Sequence, residues 1–502
     1  MADRQPKSVA IIGAGIFGLS LAVALRDRNY TVTVFDRAAY DKNGYDPLAE
    51  DVQAASVDHN KIFRASYGTK IHYQRLAMEA RKAWVGGDEK RGFSHLDSEG
   101  VQDDQEDRWD EGRLFVTSGM LRVQPSDQLS DLEKETLANM ERDGLRDAQF
   151  VKSSQEDRIR AEERGWKRKL LDFEIPDSNP PATYEAVLDS TAGFVRCSRA
   201  CAYYQKVAEK KGVMFRFGTG EGSVEGLVKA AFTAGDGRGK VTGVRTKDGK
   251  VHEADVVVVA AGSFSAQVLP ELSYHLESSA GSVAAFKIDS ANKQLWDKYS
   301  PEKFPVMAWK SVPRDKSGKD TGSIYVLPRT PEGLVKIGYR GIKFTNFQPA
   351  PPNTPFTQDG QWSIPLPPSE CKHLQESAID AINQFVSIFL PEFKGVPFEF
   401  TKLCWYTDSL DNSFVIDYVP TYAENSVFVC TGGSGHGAKF LPVLGEYNVT
   451  DPAHQQHATD ILQHGDKSTS YMRQFWRWRP DAPRRNGLEE GPGGPRDIGQ
   501  KH

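Results

Sequence analysis

Residues 8–36, SVAIIGAGIFGLSLAVALRDRNYTVTVFD, decide the fold. An apolar run leads into Gly13-x-Gly15-x-x-Gly18, an amphipathic stretch follows, and a second apolar run ends on Asp36. That order predicts the strand, turn, helix and strand of a dinucleotide-binding unit. The first glycine makes the tight turn, the second admits a pyrophosphate, and the third lets helix pack on strand. Unpaired N–H groups and the helix dipole at the start of the helix favour the anion. A carboxylate at Asp36 can accept both ribose hydroxyls of an adenosine and disfavours a 2′-phosphate.

Near the other end, residues 428–445, FVCTGGSGHGAKFLPVLG, join a buried strand to a glycine-dense turn. Gly432, Gly433, Gly435 and Gly437 let backbone N–H groups approach a flat or anionic ligand, and His436 and Lys439 supply the titratable side chains. Taken alone, this stretch reads equally as a plain strand-to-helix turn with a solvated lysine. The N-terminal motif favours the ligand.

A chain of 502 residues can bury a large core and suggests two or more domains, or one nucleotide domain interrupted by another. A net charge of −5 with dispersed basic residues leaves nucleic acid no electrostatic footprint. No stretch has the roughly eighteen apolar residues of a membrane span, and MADRQPK passes into a strand without a signal-peptide pattern. Cys197, Cys201, Cys371, Cys404 and Cys430 are too few and scattered for a disulfide framework, so a reducing, intracellular and cytoplasmic setting is expected. The terminal GQKH is not a simple peroxisomal signal of the SKL type, though a peroxisomal location stays open. Cys197 and Cys201, four apart on a predicted helix, read as packing rather than metal ligands.

Between these ends, TKIHYQRLAMEARKAW suggests an amphipathic helix, and residues 86–112 read as an acidic surface insertion. Charged helical segments are expected near 126–143 and over 154–171, followed by a helix at 198–211 and a turn-linked strand pair around Asp248-Gly249. ADVVVVAAG, 254–262, is apolar on both faces, as a central parallel strand should be. GSVAAFKID, KFPVMAWK, SIYVLPR and LVKIGYRG alternate in antiparallel style. A helix over 369–388 presents Ala378, Ile379, Ile382, Phe385 and Ile388 on one face, and the Gly/Pro-rich tail from 480 reads as disordered.

Three stretches, GAGIFG with Asp36, NKIFRASYG at 60–68, and LCWYTDSLDNSFVID running into TGGSGHGAKFLPVLG at 403–445, resemble the sarcosine oxidase group of FAD-dependent amine oxidases. This group of the D-amino acid oxidase superfamily includes pipecolate, saccharopine and fructosyl amino acid oxidases. The resemblance implies an α/β fold: a Rossmann-like FAD-binding domain in discontinuous segments (1–85, 186–279, 395–460) with an inserted antiparallel-sheet substrate domain (86–185, 280–394). A C-terminal extension spans 461–502. It implies FAD contacts from Gly13, Gly15, Ile16, Phe17, Gly18, Asp36, Arg37, Lys61, Ala261 and Gly262, and from Gly433, Ser434, Gly435, His436, Gly437 and Lys439. It also implies a flavin thioether at Cys404. A buried free thiol is the plainer reading of that cysteine.

By the same resemblance Arg64 and Lys439 pair with a substrate carboxylate, guanidinium and ammonium supplying bidentate and point-charge recognition. Tyr406 borders the pocket. His436 and Lys61 stand beside the flavin, and Lys298, with Lys303 as competitor, corresponds to the lysine that speeds reaction with oxygen. The implied function is oxidation of a secondary amine or N-substituted amino acid, with O2 reduced to hydrogen peroxide, by a monomer that uses neither nucleic acid nor membrane. A nicotinamide-using flavin dehydrogenase or monooxygenase would want a second GxGxxG, which the sequence does not offer. A non-catalytic flavin-binding protein remains the other alternative.

Overall fold

The structure, a computed structural model, describes residues 7–50, 52–90, 112–230, 238–309, 324–352, 354, 360–445, 457–480 and 490–499. Most of the acidic stretch 86–112 lies outside them. Its first residues, 86–90, close the helix Ile71–Lys90.

The strand Ser8–Ile12 pairs in parallel with Thr31–Asp36 on one side and Val256–Val259 on the other. Met214–Phe217 and Val427–Thr431 extend the sheet in parallel, and Val415–Tyr418 closes one edge antiparallel. Val256 and Val258 join the core on the side of the helix Ile16–Asp27, whereas Val257 and Val259 join the core on the opposite face. Both faces are therefore covered, which is why ADVVVVAAG shows no alternation. Each of these four valines is fully buried, a term of about 1.5–3 kcal/mol per side chain.

A second sheet of eight strands runs in the order Phe400–Ser409, Leu276–Lys287, Leu334–Phe344, Ile324–Val326, Val306–Trp309, Met120–Val123, Ala186–Asp189, Gln149–Val151. It is antiparallel except where Val306–Trp309 meets Met120–Val123. The molecule is thus α/β with a Rossmann-like parallel sheet and a separate antiparallel-rich sheet, as expected. Strands Val241–Thr246 and Val251–Glu253 form the pair around Gly249, whose φ of +83° suits glycine. Cys197 and Cys201 are buried on the helix Cys197–Lys210, and no metal-holding cluster occurs among the described residues.

Helix Glu376–Phe389 backs the second sheet with Ala378, Ala381, Ile382, Phe385, Val386 and Phe389 buried, so Ile379 and Ile388 stand at the margin of the face rather than within it. The expected disorder beyond 480 fails for 490–499. Asp497 accepts from Phe347 N at 3.0 Å, Ile498 N donates to Thr345 O at 2.8 Å, and Ile498 joins the second core. A short polar tail is ordered here because its backbone finds partners at a strand end, which composition does not reveal.

Candidate active site

A cavity of about 370 Å³ runs from Asp36 and Arg37, past the glycine turns, to Cys404, Tyr406 and Lys439, between the two sheets. At its first end Gly13 adopts a φ of +112°, and a Cβ there would lie 2.4 Å from Ala260 O. A Cβ on Gly18 would lie 1.9 Å from Gly13 O, so Gly18 serves helix packing and does not line the cavity. Gly15, Ile16 and Phe17 do line it, at the start of a helix whose N-cap makes no side-chain hydrogen bond. Its first N–H groups suit a pyrophosphate. Asp36 Oδ2 accepts from Ala14 N at 2.8 Å and Oδ1 from Ala38 N at 2.9 Å, fixing the carboxylate at the strand tip. Burial raises its pKa although both N–H groups oppose the rise. Ala261 and Gly262 complete this end, with Arg37 stacked over Phe264 at 4.0 Å. These features fit the ADP portion of FAD.

At the far end the turn 432–437 forms the floor. Gly433, Gly435 and Gly437 line the cavity, and a Cβ on Gly437 would come within 2.7 Å of the Phe17 ring. Ser434 does not line it. It takes a left-handed φ of 45°, held by its N–H to Thr407 O at 2.8 Å and its hydroxyl to Gly432 O at 3.0 Å.

His436 lines the cavity but is committed to the protein. Its Nε2 lies 3.2 Å from Asn412 O and its Nδ1 3.0 Å from Tyr67 Oη. A carbonyl only accepts, so Nε2 carries the proton and Nδ1 accepts from Tyr67. Tyr67 Oη in turn accepts from Lys439 Nζ at 2.9 Å. Burial, then the Lys439 charge, pushes the His436 pKa well below its ordinary value, so the ring is neutral.

Lys439 also donates to Arg64 O at 3.1 Å, leaving one of its three N–H bonds. Burial and the nearby Arg64 guanidinium push its pKa well below the lysine range. Arg64 lies over the Tyr67 ring at 4.6 Å and donates to Ser66 O. Arg64, Lys439 and Tyr406 all line the cavity.

Cys404, half-buried, pairs in register with Gly281, which has no side chain to cover it. Lys61 Nζ lies 3.7 Å from Cys404 Sγ and 2.7 Å from Asp58. Burial works against the Lys61 ammonium, but the Asp58 carboxylate and Cys404 outweigh it and raise the pKa well above the ordinary value. Burial likewise opposes the Asp58 charge, and Lys336 and Lys61 overcome it, holding the carboxyl well below its usual range.

Lys298 stands elsewhere. It is half-exposed at the end of the helix Lys293–Lys298 and ion-paired with Glu392, and Lys303 pairs with Asp297. Neither lines the cavity. The expectation for these lysines rested on neighbouring sequence, and the Phe304 beside Lys303 packs into the core while the lysines stay at the surface.

Two residues that the motifs did not single out stand nearer, Arg340 on the cleft wall and Lys336 behind Asp58. In Leu334–Phe344, Val335, Ile337 and Tyr339 face the core, and Lys336 and Arg340 alternate with them. Lys336 Nζ donates to Asp58 at 2.8 Å and to Asn60 O, and burial lowers its pKa. Arg340 lines the cavity beside Tyr325, whose phenol burial pushes up to about 12. The alternation in LVKIGYRG was the available signal.

The model of the FAD dependent oxidoreductase family matches residues 8–449, and the chain belongs to that family. The chain is 28% identical to the L-saccharopine oxidase of Schizosaccharomyces pombe over 95% of this chain and 94% of that protein. It is 23% identical to monomeric sarcosine oxidase of Bacillus sp. (strain NS-129), over 87% and 90%. A modified fructosyl peptide oxidase from Aspergillus nidulans superimposes with a TM-score of 0.72 at 21% identity, covering 99% of this chain and 98% of that one, which shows the shared fold. The family resemblance read from the motifs therefore holds.

Proposed function

We propose that this FAD-dependent oxidoreductase oxidises the C–N bond of a secondary amine or N-substituted amino acid, yielding an imine that hydrolyses, with O2 reduced to hydrogen peroxide. The observation that carries the reading is the cation pair Arg64 and Lys439 in the cleft that ends at Cys404. The names of the relatives, L-saccharopine oxidase and monomeric sarcosine oxidase, support it. The chemistry that bound FAD supplies is acceptance of the electron pair and its return to O2.

The chain's own residues then bind and orient. Arg64 offers a planar fork to the α-carboxylate and Lys439 its remaining N–H. Tyr406 borders the substrate. Asp36, at the opposite end, is the one carboxylate among the described lining residues. At the Cys404 end no carboxylate occurs among the described lining residues, and Asp58 is held by Lys61 and Lys336, which suits an amine that arrives neutral. His436, neutral and fixed at both nitrogens, positions Tyr67 and through it Lys439. Cys404 is the proposed thioether attachment, with Lys61 Nζ 3.7 Å from its sulfur. Lys61 and the Lys336 behind Asp58 take over the role expected of Lys298, a positive charge that favours electron transfer to oxygen. Five cysteines without a disulfide suit an intracellular, reducing compartment.

Anaerobic addition of secondary amino acids to the FAD-loaded protein should bleach the visible flavin band, and admission of air should restore it with release of peroxide. Failure of every N-substituted amino acid to bleach the band would remove the proposal.

A further inference from the structure

We infer that Arg479, in the C-terminal segment 457–480, is a positioning residue for the carboxylate end of the cleft. It clamps the turn 411–414, whose Asn412 carbonyl fixes His436 and, through Tyr67, Lys439. Its effect on substrate rests on the reading of Lys439 as a carboxylate partner, whereas its hold on His436 does not.

Arg479 is buried, and it lies beyond residue 449, where the family match ends. A guanidinium has five N–H bonds, and here each has an acceptor. Nε and Nη2 grip the Asp411 carboxylate at 2.9 and 2.7 Å. Nη2 also donates to Ser413 O at 2.8 Å, and Nη1 donates to Phe414 O and Arg477 O at 3.0 Å each. All but the bond to Arg477 O converge on the turn between the strands Phe400–Ser409 and Val415–Tyr418. A planar fork engaged in this way fixes the position of the turn, which a point charge would not. Burial opposes the Asp411 charge, and Arg479 foremost outweighs it, holding the carboxyl below its usual range.

The turn has to be held, because Asn412 takes a left-handed φ of 56°. Lys70 Nζ secures its first two carbonyls, Asp411 O at 2.8 Å and Asn412 O at 3.2 Å, and Arg479 secures the rest. So placed, Asn412 O meets His436 Nε2 at 3.2 Å. The same segment also sets the ring plane. Trp476 stacks on Phe414 at 5.6 Å and Phe414 on His436 at 4.9 Å, both at an interplanar angle of 29°. Trp476 Nε1 and Phe414 N both donate to Tyr73 Oη, at 3.1 and 2.9 Å. No residue of 457–480 lines the cavity, so the segment acts on the site from behind. If Asn412 O is displaced, the buried Nε2–H loses its acceptor and the ring gains by carrying its proton on Nδ1 instead. Nδ1–H and Lys439 Nζ then compete for the Tyr67 oxygen, and Lys439 loses its fixed place.

The test uses FAD-loaded, full-length protein with isotope-labelled histidine. Ring-nitrogen NMR shifts of His436, assigned by their loss in His436→Asn, should show a single Nε2–H tautomer in wild type. Arg479→Met should bring in the Nδ1–H form. Arg473→Met loosens the same segment at Asp417, 2.9 Å away, and should keep the wild-type pattern. The second readout is the Kd of acetate, a carboxylate with no amine to oxidise, from the shift in the flavin spectrum. Arg479→Met should weaken it by roughly tenfold, and Arg479→Lys by less. With Lys439→Met already in place, Arg479→Met should add no further loss, a coupling that general loosening of the fold would not produce. Should Arg479→Met not fold, Asp411→Asn is read by the same two measures. Wild-type shifts retained in Arg479→Met, or the same change in Arg473→Met, overturn the inference. Losses that simply add in the double variant overturn it too. Failure of acetate to bind wild type counts against Lys439 as a carboxylate partner, and the tautomer measurement then decides the link from Arg479 to His436.

Discussion

Lys61 Nζ stands 3.7 Å from Cys404 Sγ while the same ammonium is paired to Asp58 at 2.7 Å. A residue from the glycine-motif half of the chain thus holds a positive charge against a sulfur on the second sheet. The proposed thioether uses this sulfur as nucleophile, and Lys61 is the charged side chain against it.

Cys404→Ala should therefore release the flavin on acid denaturation, whereas wild-type protein keeps flavin fluorescence on a denaturing gel. Lys61→Met should slow the appearance of that fluorescent band when FAD is added to apoprotein. Complete release from wild-type protein would remove the thioether without touching the oxidase reading.

Arg64→Met should cost about 2–5 kcal/mol in substrate recognition, read from kcat/KM, with flavin content retained. An unchanged kcat/KM on the best amino acid substrate would move the carboxylate elsewhere in the cleft.

Lys439 makes binding pH-dependent in a defined direction. Its pKa in the free enzyme is depressed by burial and by Arg64, and a bound carboxylate raises it. The ligand thus prefers the ammonium form, so affinity is full below the free-enzyme pKa and falls as pH rises through it, until the higher pKa of the complex is passed. Kd measured against pH should show this fall below the ordinary lysine range, and Lys439→Met should flatten it. A wild-type Kd that strengthens with rising pH through that range would contradict the assignment.

Reoxidation of reduced flavin separates the lysines. Lys61→Met and Lys336→Met should slow the reaction with oxygen in stopped flow more than anaerobic reduction, because a charge beside the cleft stabilises the developing anion. Lys298→Met should reoxidise at the wild-type rate, its ammonium being paired with Glu392 at the surface. A slow Lys298→Met would overturn this ordering.

Tyr67→Phe should destabilise the protein by about 1–3 kcal/mol, since His436 Nδ1 loses its donor and Lys439 an acceptor at a buried site. Urea unfolding of the variant checks this, and an unchanged midpoint would show that the chain from Lys439 to Asn412 carries no stability.

The dinucleotide unit, the doubly covered strand 254–262 and the glycine turn at 432–437 were legible in the residues alone, because each depends on local chemistry. A glycine that must take positive φ, an acid at a strand tip and an apolar run long enough for one strand are all legible within a few residues. Cys404, Arg64 and Lys439 came forward only through the resemblance of short motifs to the amine oxidase family. Which charged side chains come to the cleft is settled by strand pairing. Lys298 looked suitable from its neighbours, yet it stays at the surface, while strand register places Arg340 on the cleft wall and Lys336 behind Asp58. Register is set by pairing with Leu276–Lys287, some sixty residues away in sequence, and one residue of slip would turn the same side chains to the opposite face. Asp497 shows the same limit, since its partner Phe347 becomes available only once the second sheet has formed.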